Sequence, residues 1–260
     1  MGYVVSKTII DYESNQVIVI DGGEEKHFPL QTPEAFDAVS KAYLRAGWDN
    51  KYVYSFTWMG RPIIQLPDDV MRAQELIYAI KPDVLIEIGV AHGGSLILYA
   101  SLMRAMGKGR VIGVDIEIRS SNRVEIEKHE VSDLITLIEG NSIHEDTLIA
   151  VRNEVQENET VLVFLDGKHT YDHVLKELEL YSPFVTKGSY ILAMDGIQRD
   201  LVGAPRSQMD WKHNNSAEAA ISFAKQNPEF VIKEPGPIFN EGTVTKFVTY
   251  WPDAYLKKVR

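Results

Sequence analysis

The run Glu87-Ile-Gly-Val-Ala-His-Gly-Gly-Ser95 lies between an apolar strand-like segment, Asp83-Val-Leu-Ile-Glu87, and a helix-like segment at residues 96–106. A second apolar run, Arg110-Val-Ile-Gly-Val-Asp115, then ends in an acid. A strand, a glycine turn, a helix, a strand and an acid are how α/β proteins hold an adenosine-type cofactor. The spacing here is Gly89-x-x-x-Gly93, which differs from the G-x-G-x-x-G of pyrophosphate binders. The pattern therefore favours S-adenosylmethionine over a nicotinamide dinucleotide.

The composition narrows the class of protein. The chain has 260 residues, of which 45% are apolar and 25% charged, as in a globular protein with one large α/β domain or two small ones. It has no cysteine, which excludes disulfides, zinc–thiolate sites and thiol catalysis. A net charge of −10 opposes nucleic-acid binding. We find no apolar run long enough for a membrane span and no signal-peptide core at the N-terminus, so we expect a cytoplasmic protein.

Residues 1–65 differ from the rest and are predicted to form an N-terminal extension. Residues 16–21 read as a strand, and Thr32-Pro33 is typical of a helix start, with Thr32 as N-cap. This helix is expected to run to about Ala46 and to stop at Gly47. The aromatic-rich segment 52–62 is predicted to be either an arm packed on the core or a lid over a site.

From residue 66 onwards the pattern alternates between strands and helices. Such alternation predicts an α/β fold, a doubly wound and mostly parallel Rossmann-like sheet over residues 66–260, with an antiparallel hairpin at one edge. The predicted strands are 83–88, 110–115, 134–138, 160–165, 189–194, 230–233 and 243–251. The predicted helices are 68–80, 94–106, 122–129, 144–156, 170–182 and 216–226.

Several polar residues follow the predicted strands, where ligands of open α/β sheets bind. Glu87 could face an ammonium group, and Asp115 could accept hydrogen bonds from ribose hydroxyls or be an ordinary strand-end acid. His92 either contacts the ligand or caps the helix. Asn141 and Ser142 could bind a heterocycle or simply form a turn before a helix.

A third group of residues has the strongest chemical character. Asp166 ends one buried strand, His169 follows three residues later at a helix start, and Asp195 ends the next strand. If the two strands are neighbours, both carboxylates converge, and such a pair suits an oxygen-preferring cation such as Mg²⁺. His169 could accept a proton near neutral pH. Together these residues predict an active site at this edge of the sheet.

The sequence resembles the family of cephalosporin hydroxylases and rhamnosyl O-methyltransferases. The matching segments come in the same order and cover about residues 52–200, which makes them far more specific than any single motif. They are residues 54–67, 87–95, 111–119, 138–142, 165–169 and 188–195.

The resemblance implies an S-adenosylmethionine-dependent O-methyltransferase of the Rossmann type that acts on antibiotics or sugars. It also implies a role for each matching position. The methionine end of the cofactor would be lined by Glu87, Gly89, His92, Gly93 and Ser95, the ribose would be held by Asp115, and the adenine would be flanked by Asn141 and Ser142.

The same resemblance implies that Asp166 and Asp195 bind Mg²⁺ and that His169 is the general base. One departure concerns the metal, because several metal-dependent relatives have two consecutive acids where this chain has Met194-Asp195. Water or Gln198 would then replace the missing ligand.

We therefore expect methyl transfer to a hydroxyl of a sugar or a sugar-bearing metabolite, either a cell-surface glycan in polysaccharide biosynthesis or a natural product. The segments 52–62 and 198–215 would shape the acceptor pocket, the latter with Arg199, Arg206, Trp211 and His213. A homo-oligomer through the N-terminal segment is a further expectation. Two alternatives are an NAD(P)-dependent oxidoreductase on the same sheet and a non-catalytic S-adenosylmethionine-binding protein.

Overall fold

A computed structural model describes residues 7–260 of the chain. The strands are β1 Lys7–Asp11, β2 Gln16–Asp21, β3 Glu24–Pro29, β4 Phe56–Trp58, β5 Arg61–Ile63, β6 Val84–Ile88, β7 Arg110–Asp115, β8 Ile135–Glu139, β9 Val161–Leu165, β10 Tyr190–Ala193, β11 Phe230–Ile232 and β12 Tyr255–Lys258. The α-helices are α1 Pro33–Asp49, α2 Pro67–Ile80, α3 Gly94–Met106, α4 Ser120–Glu127, α5 Glu145–Glu154, α6 Tyr171–Tyr181 and α7 Ser216–Gln226.

The largest sheet confirms the predicted α/β fold class. Its strand order is β11-β12-β10-β9-β6-β7-β8. The strands from β8 to β10 are parallel, whereas β12 pairs antiparallel with both β10 and β11. Because the chain winds in opposite directions from β6, towards β7 on one side and β9 on the other, the carboxyl ends of β6 and β9 border the crevice where such sheets bind ligands.

The centre of this sheet is covered on both faces. Every residue of β6 and β9 is buried, which explains why both strands are almost continuously apolar in sequence. Helix α6 places Val174 and Leu178 in this core, with Tyr171 and Leu175 packed at its margin. These four residues have the i, i+3, i+4, i+7 spacing of one helix face, which is the face that packs on the sheet.

The first helix is longer than its sequence predicted. It does not stop at Gly47 but continues to Asp49. Asn50 ends it, since both its backbone N–H and its side-chain amide donate to the carbonyl oxygen of Ala46. An ion pair between Arg45 and Asp49 also spans the glycine at 3.0 Å. One glycine lowers helix stability by only about 1 kcal/mol, which these contacts offset.

The last predicted strand was wrong. Residues 243–251 form no strand, although their β-branched residues favour one locally, and the final strand is β12 at Tyr255–Lys258. Strand β12 was missed in the sequence because two of its four residues are lysines, which are uncommon in a covered strand. The ammonium nitrogens of Lys257 and Lys258 lie 5.4 and 5.6 Å from the ring centres of Tyr190 and Phe230, so each charge meets an aromatic face and both lysines can belong to a covered strand.

The chain divides into two compact units. One contains the residues up to Tyr52 together with Gly236–Thr249, and the other contains Val53–Pro235 and Tyr250–Arg260. In the smaller unit, α1 packs on the three-stranded sheet β1-β2-β3 through Val17, Ala35 and Ala38. The boundary near residue 65, proposed from the sequence, stays a prediction. Within residues 7–260, none of the helices has the length and apolar character needed to cross a bilayer.

Candidate functional site

A cleft of about 470 Å³ opens at the carboxyl ends of the central strands in the larger unit. Its volume lies within the range of typical small-molecule pockets. Five of the residues selected from the sequence line it, namely Gly89, Asp115, Asn141, Ser142 and Asp166. The prediction that these residues meet at one edge is therefore matched by the geometry.

The glycine loop, residues 89–93, is shaped by a close approach between strand ends. Gly89 has φ +105°, and a Cβ atom there would collide with the carbonyl oxygen of Asp166. The carboxylate of Asp115 holds the loop from β7, because one of its oxygens accepts from the N–H groups of Val90 (2.8 Å) and Ala91 (3.3 Å). Asp115 therefore fixes the loop while it lines the cleft.

Glu87 and Ser95 are brought together beneath this loop. Glu87 is fully buried, and the Ser95 hydroxyl donates to its Oε2 at 2.7 Å. Burial raises the pKa of Glu87 to about 8, against the opposing hydrogen bonds of the Ser95 and Tyr99 hydroxyls and with a further rise from the negative charge of Asp115. The carboxyl is therefore largely protonated at neutral pH, as expected for a buried acid without a cationic partner.

The remaining two loop residues stand slightly apart from the cleft. His92 is half-buried, and its backbone carbonyl oxygen accepts from the guanidinium group of Arg61. Gly93 has φ +80° and lies at the N-cap of α3 against the side chain of Ile126. Neither residue borders the cleft in the described part of the chain.

Asn141 and Ser142 use much of their hydrogen-bonding capacity within the protein. Asn141 Oδ1 accepts from the N–H of Ile143 at 3.2 Å, as in a tight turn. The Ser142 hydroxyl donates to Glu177 Oε1 at 2.5 Å, and His173 Nε2 lies 3.1 Å from the same carboxylate oxygen. His173 and Glu177 also line the cleft, and sequence reasoning missed them. Their i, i+4 spacing on α6 was the only available signal.

Asp166, His169 and Asp195 form one cluster. Strands β9 and β10 are parallel neighbours, with Leu165 opposite Ala193, so the two acids that follow them converge as predicted. His169 Nε2 lies 3.5 Å from Asp195 Oδ2 and 4.0 Å from Asp166 Oδ1. One donor atom from each residue falls within 4.8 Å of the other two, close enough to surround a single metal ion.

Electrostatics in this cluster favour partial protonation. Burial raises the pKa of Asp166 well above its usual value, and the negative charges of Asp195 and Glu87 raise it further. Burial also raises the pKa of Asp195, which His169 opposes. Asp195 has φ +60°, a left-handed conformation that is uncommon outside glycine and often found at functional sites. A bound cation would relieve the repulsion between the two carboxylates.

Residues far apart in sequence support the cluster and were not predicted. Gln65 is buried, donates to the Tyr99 hydroxyl at 3.1 Å, and partly offsets the rise in the Asp166 pKa. Buried Asp69 accepts from the backbone N–H of Tyr250 at 2.8 Å. Burial raises the pKa of Tyr250 to about 12, with the nearby Asp195 carboxylate adding to the rise.

The segment 198–215 was predicted to offer charged groups to an acceptor. Arg199 instead pairs with Asp253 at 2.7 Å, which ties it to the protein. His213 is exposed, and Trp211 is half-buried. The acceptor role of this segment stays a prediction.

Comparisons with known proteins agree with this arrangement. The model of the family described as Rhamnosyl O-methyltransferase/CmcI matches residues 50–259. A rhamnosyl O-methyltransferase of Mycobacterium bovis is 28% identical over 163 residues, which cover 61% of this chain and 64% of the relative. The matched region thus spans less than two thirds of that relative's length.

Solved structures share the fold. A structure of CmcI with Mg-SAM is 18% identical, with a TM-score of 0.51 over 80% of this chain and 78% of that one. The CmcI apo-structure is 17% identical, with a TM-score of 0.52 over 80% of this chain and 77% of that one. At this level of identity the likeness concerns the fold alone.

Proposed function

Because this chain belongs to the Rhamnosyl O-methyltransferase/CmcI family, we propose that it is an S-adenosylmethionine-dependent O-methyltransferase. The acceptor is a hydroxyl group of a sugar or a sugar-bearing metabolite, such as a cell-surface glycan or a natural product. The observation that carries the proposal is a single sheet edge where a glycine loop and strand-end acids border a cleft, beside the cluster of Asp166, His169 and Asp195.

The donor side of the site is the half built from β6, β7 and β8. S-adenosylmethionine would supply an electrophilic methyl group on a sulfonium sulfur, and a chain with a net charge of −10 does not repel that cation. We assign the methionine end to Glu87, Gly89, His92, Gly93 and Ser95, and the adenosine end to Asp115, Asn141 and Ser142. The cleft lining supports Gly89, Asp115, Asn141 and Ser142, and the fixed glycine loop between the two ends would orient the donor.

The acceptor side is the half built from β9 and β10. In the proposed step the acceptor oxygen forms a bond to the methyl carbon while the sulfur–carbon bond breaks, which gives a methyl ether and S-adenosylhomocysteine. His169 accepts the hydroxyl proton at Nε2, and the carboxylate of Asp195, 3.5 Å from that nitrogen, stabilises the positive charge that forms. No covalent enzyme intermediate is needed, so holding the reactants in line supplies much of the rate.

The donor set fits a divalent cation. Asp166 and Asp195 provide carboxylate oxygens within 4.8 Å of each other and of His169 Nε2, and oxygen ligands of this kind suit Mg²⁺. We propose that these two acids hold Mg²⁺, which when bound would favour loss of the acceptor proton. Met194 is buried and its side chain has no oxygen, so we propose that water or Gln198 completes the site.

Calorimetry with S-adenosylhomocysteine and, separately, with NADH tests the cofactor. We expect binding of the first and none of the second, and NADH binding alone would refute the proposal. Transfer of a labelled methyl group from S-adenosylmethionine to methyl rhamnoside then tests the reaction. A protein that binds S-adenosylhomocysteine but methylates none of a panel of sugar and glycoside acceptors would instead be a non-catalytic binding protein.

A cytoplasmic location, the lack of nucleic-acid partners and a homo-oligomer through the N-terminal segment stay predictions from the sequence. Exposed Ile9, Ile10 and Tyr12 at and just beyond β1 support the last of these, because β1 is an edge strand with apolar side chains. Light scattering of the wild type and of Ile9→Lys tests it, and a monomer in both samples would refute it.

A further inference from the structure

Two side chains outside the cleft hold the backbone of the glycine loop. The guanidinium group of Arg61 donates to the carbonyl oxygen of His92 through Nε (3.2 Å) and Nη2 (2.6 Å). The amide of Asn122, on α4, donates to the carbonyl oxygen of Ala91 at 2.7 Å. Asp115 accepts from the N–H of Ala91, so side chains bind both the N–H and the carbonyl groups of the loop backbone.

Arg61 and Asn122 also bind each other and so form one unit, here named the loop clamp. Arg61 Nη2 donates to Asn122 Oδ1 at 3.2 Å. The amide of Asn122 thus has its oxygen on the arginine and its nitrogen on the loop, which fixes its orientation. A charge-assisted hydrogen bond from Arg61 therefore holds the same amide that binds the loop.

The clamp is itself anchored through the hairpin β4–β5. His129 Nε2 lies 3.1 Å from the carbonyl oxygen of Met59 in the hairpin turn, and Trp58 Nε1 donates to Ser101 Oγ at 3.0 Å. The backbone of Pro62 lies so close to Gly94 that a Cβ atom there would collide with the Pro62 carbonyl oxygen. The hairpin is therefore packed directly against the start of α3.

The loop needs such support because its conformation is unfavourable on its own. Ala91 has φ +45°, in the left-handed region that is unfavourable for a non-glycine residue because its Cβ crowds the backbone. Its carbonyl and its N–H group are both held by side chains from other elements. Without them the residue would gain by relaxing, and the loop would lose the shape that faces the cleft.

We propose that Arg61 and Asn122 are positioning residues that preorganise the glycine loop for the methyl donor. The inference rests on the proposed function. It gives Arg61 a role in binding the methyl donor, acting through the glycine loop. The aromatic-rich segment 52–62, which contains Arg61, was instead predicted from the sequence to shape the acceptor pocket. The hairpin β4–β5 and the glycine loop are thus connected by hydrogen bonds. Substitutions in the hairpin should therefore lower the affinity for the methyl donor before they affect the acceptor.

Calorimetry with S-adenosylhomocysteine tests the clamp in the full chain. Arg61→Met and Asn122→Ala should each raise Kd about tenfold, the equivalent of about 1.4 kcal/mol. Asn122→Asp, which keeps the size but places a second acceptor against the Ala91 carbonyl, should bind at least as weakly as Asn122→Ala. Unchanged Kd values in these three variants would overturn the proposal.

Matched controls separate positioning from general damage. Arg104→Met removes an exposed arginine paired with Asp133, and Asn227→Ala removes an amide that donates to the Phe223 carbonyl at 3.0 Å. Both controls should bind S-adenosylhomocysteine like the wild type. Equal weakening in controls and clamp variants would show that the effect is structural and would overturn the proposal.

Two further readouts complete the test. In the enzyme assay with methyl rhamnoside, Arg61→Met should raise the KM for S-adenosylmethionine and leave kcat nearly unchanged, whereas a raised KM for the rhamnoside alone would place Arg61 on the acceptor. Hydrogen exchange of residues 89–95 in the ligand-free protein should speed up in Arg61→Met and in Asn122→Ala. This measurement does not depend on the reaction, so it tests the clamp even if methyl transfer is not found, and unchanged exchange there would contradict it.

Discussion

Replacing Glu87 by glutamine should remove a pH-dependent loss of stability. The pKa of Glu87 is about 8 in the fold, against an ordinary value of 4.5, chiefly because the side chain is buried. Between these two pH values the folded protein keeps a proton that the unfolded chain releases. The unfolded state then binds fewer protons, so the free energy of unfolding falls as the pH rises.

The magnitude follows from the two pKa values. No loss occurs below pH 4.5, the loss grows through the window up to about pH 8, and it levels off above that. Between about pH 5.5 and pH 7.5 the wild type should lose about 2–3 kcal/mol through this group, at about 1.36 kcal/mol for each pKa unit. Glutamine resembles the protonated acid and cannot ionise, so Glu87→Gln should gain that amount over the wild type across the same range.

Urea unfolding at the two pH values measures this difference. Glu179→Gln is the matched control, because Glu179 is half-exposed and its ion pair with Lys176 lies at the surface. That control should follow the wild type at both pH values. If the advantage of Glu87→Gln is the same at pH 5.5 and pH 7.5, Glu87 ionises normally in the fold and the assignment of a protonated buried acid is wrong.

Three further substitutions test the site. Gly89→Ala should abolish S-adenosylhomocysteine binding in calorimetry and lower the free energy of unfolding by at least about 1 kcal/mol. The reason is that residue 89 has a positive φ and an alanine Cβ would collide with the backbone of Asp166. Normal binding would contradict this close approach. His169→Gln should lower kcat by about 10²–10⁴-fold with S-adenosylhomocysteine affinity unchanged, and an unaffected kcat would remove His169 as the base. Asp195→Asn should weaken Mg²⁺ binding at least about tenfold by titration, through loss of a charged ligand; full wild-type activity in EDTA would show that the two acids have another role.

The glycine loop and the strand-end acid of the proposed donor half could be placed in the fold from the sequence because their signals are local. Gly89, Asp115 and the elements around them lie within residues 84–115, and each obeys a positional rule for strand ends and helix starts. Asp166 and Asp195 required one additional assumption, that their strands are neighbours, and the sheet order supplied it.

The residues that were missed depend on contacts that leave no local pattern. Asp69 and Tyr250 meet across 181 positions of sequence. Gln65 and Glu177 are buried polar residues with hydrogen-bond partners on distant elements, Tyr99 and Ser142 respectively, and those long-range pairings leave no pattern in the local sequence. Strand β12 was missed for a related reason, since its register against β10 depends on tertiary packing and overrides the stronger local β-propensity of residues 243–249.

The division of the sheet at β6 and β9 has a consequence for how this fold could diversify. Under the proposed function, the donor and acceptor halves come from opposite sides of the division, and they touch where the Gly89 backbone meets the Asp166 carbonyl. The segment 198–215, between β10 and α7, could therefore exchange or lengthen without moving the loop proposed to hold the donor. Grafting that segment between relatives is the natural engineering route to new acceptors, with position 89 left as glycine.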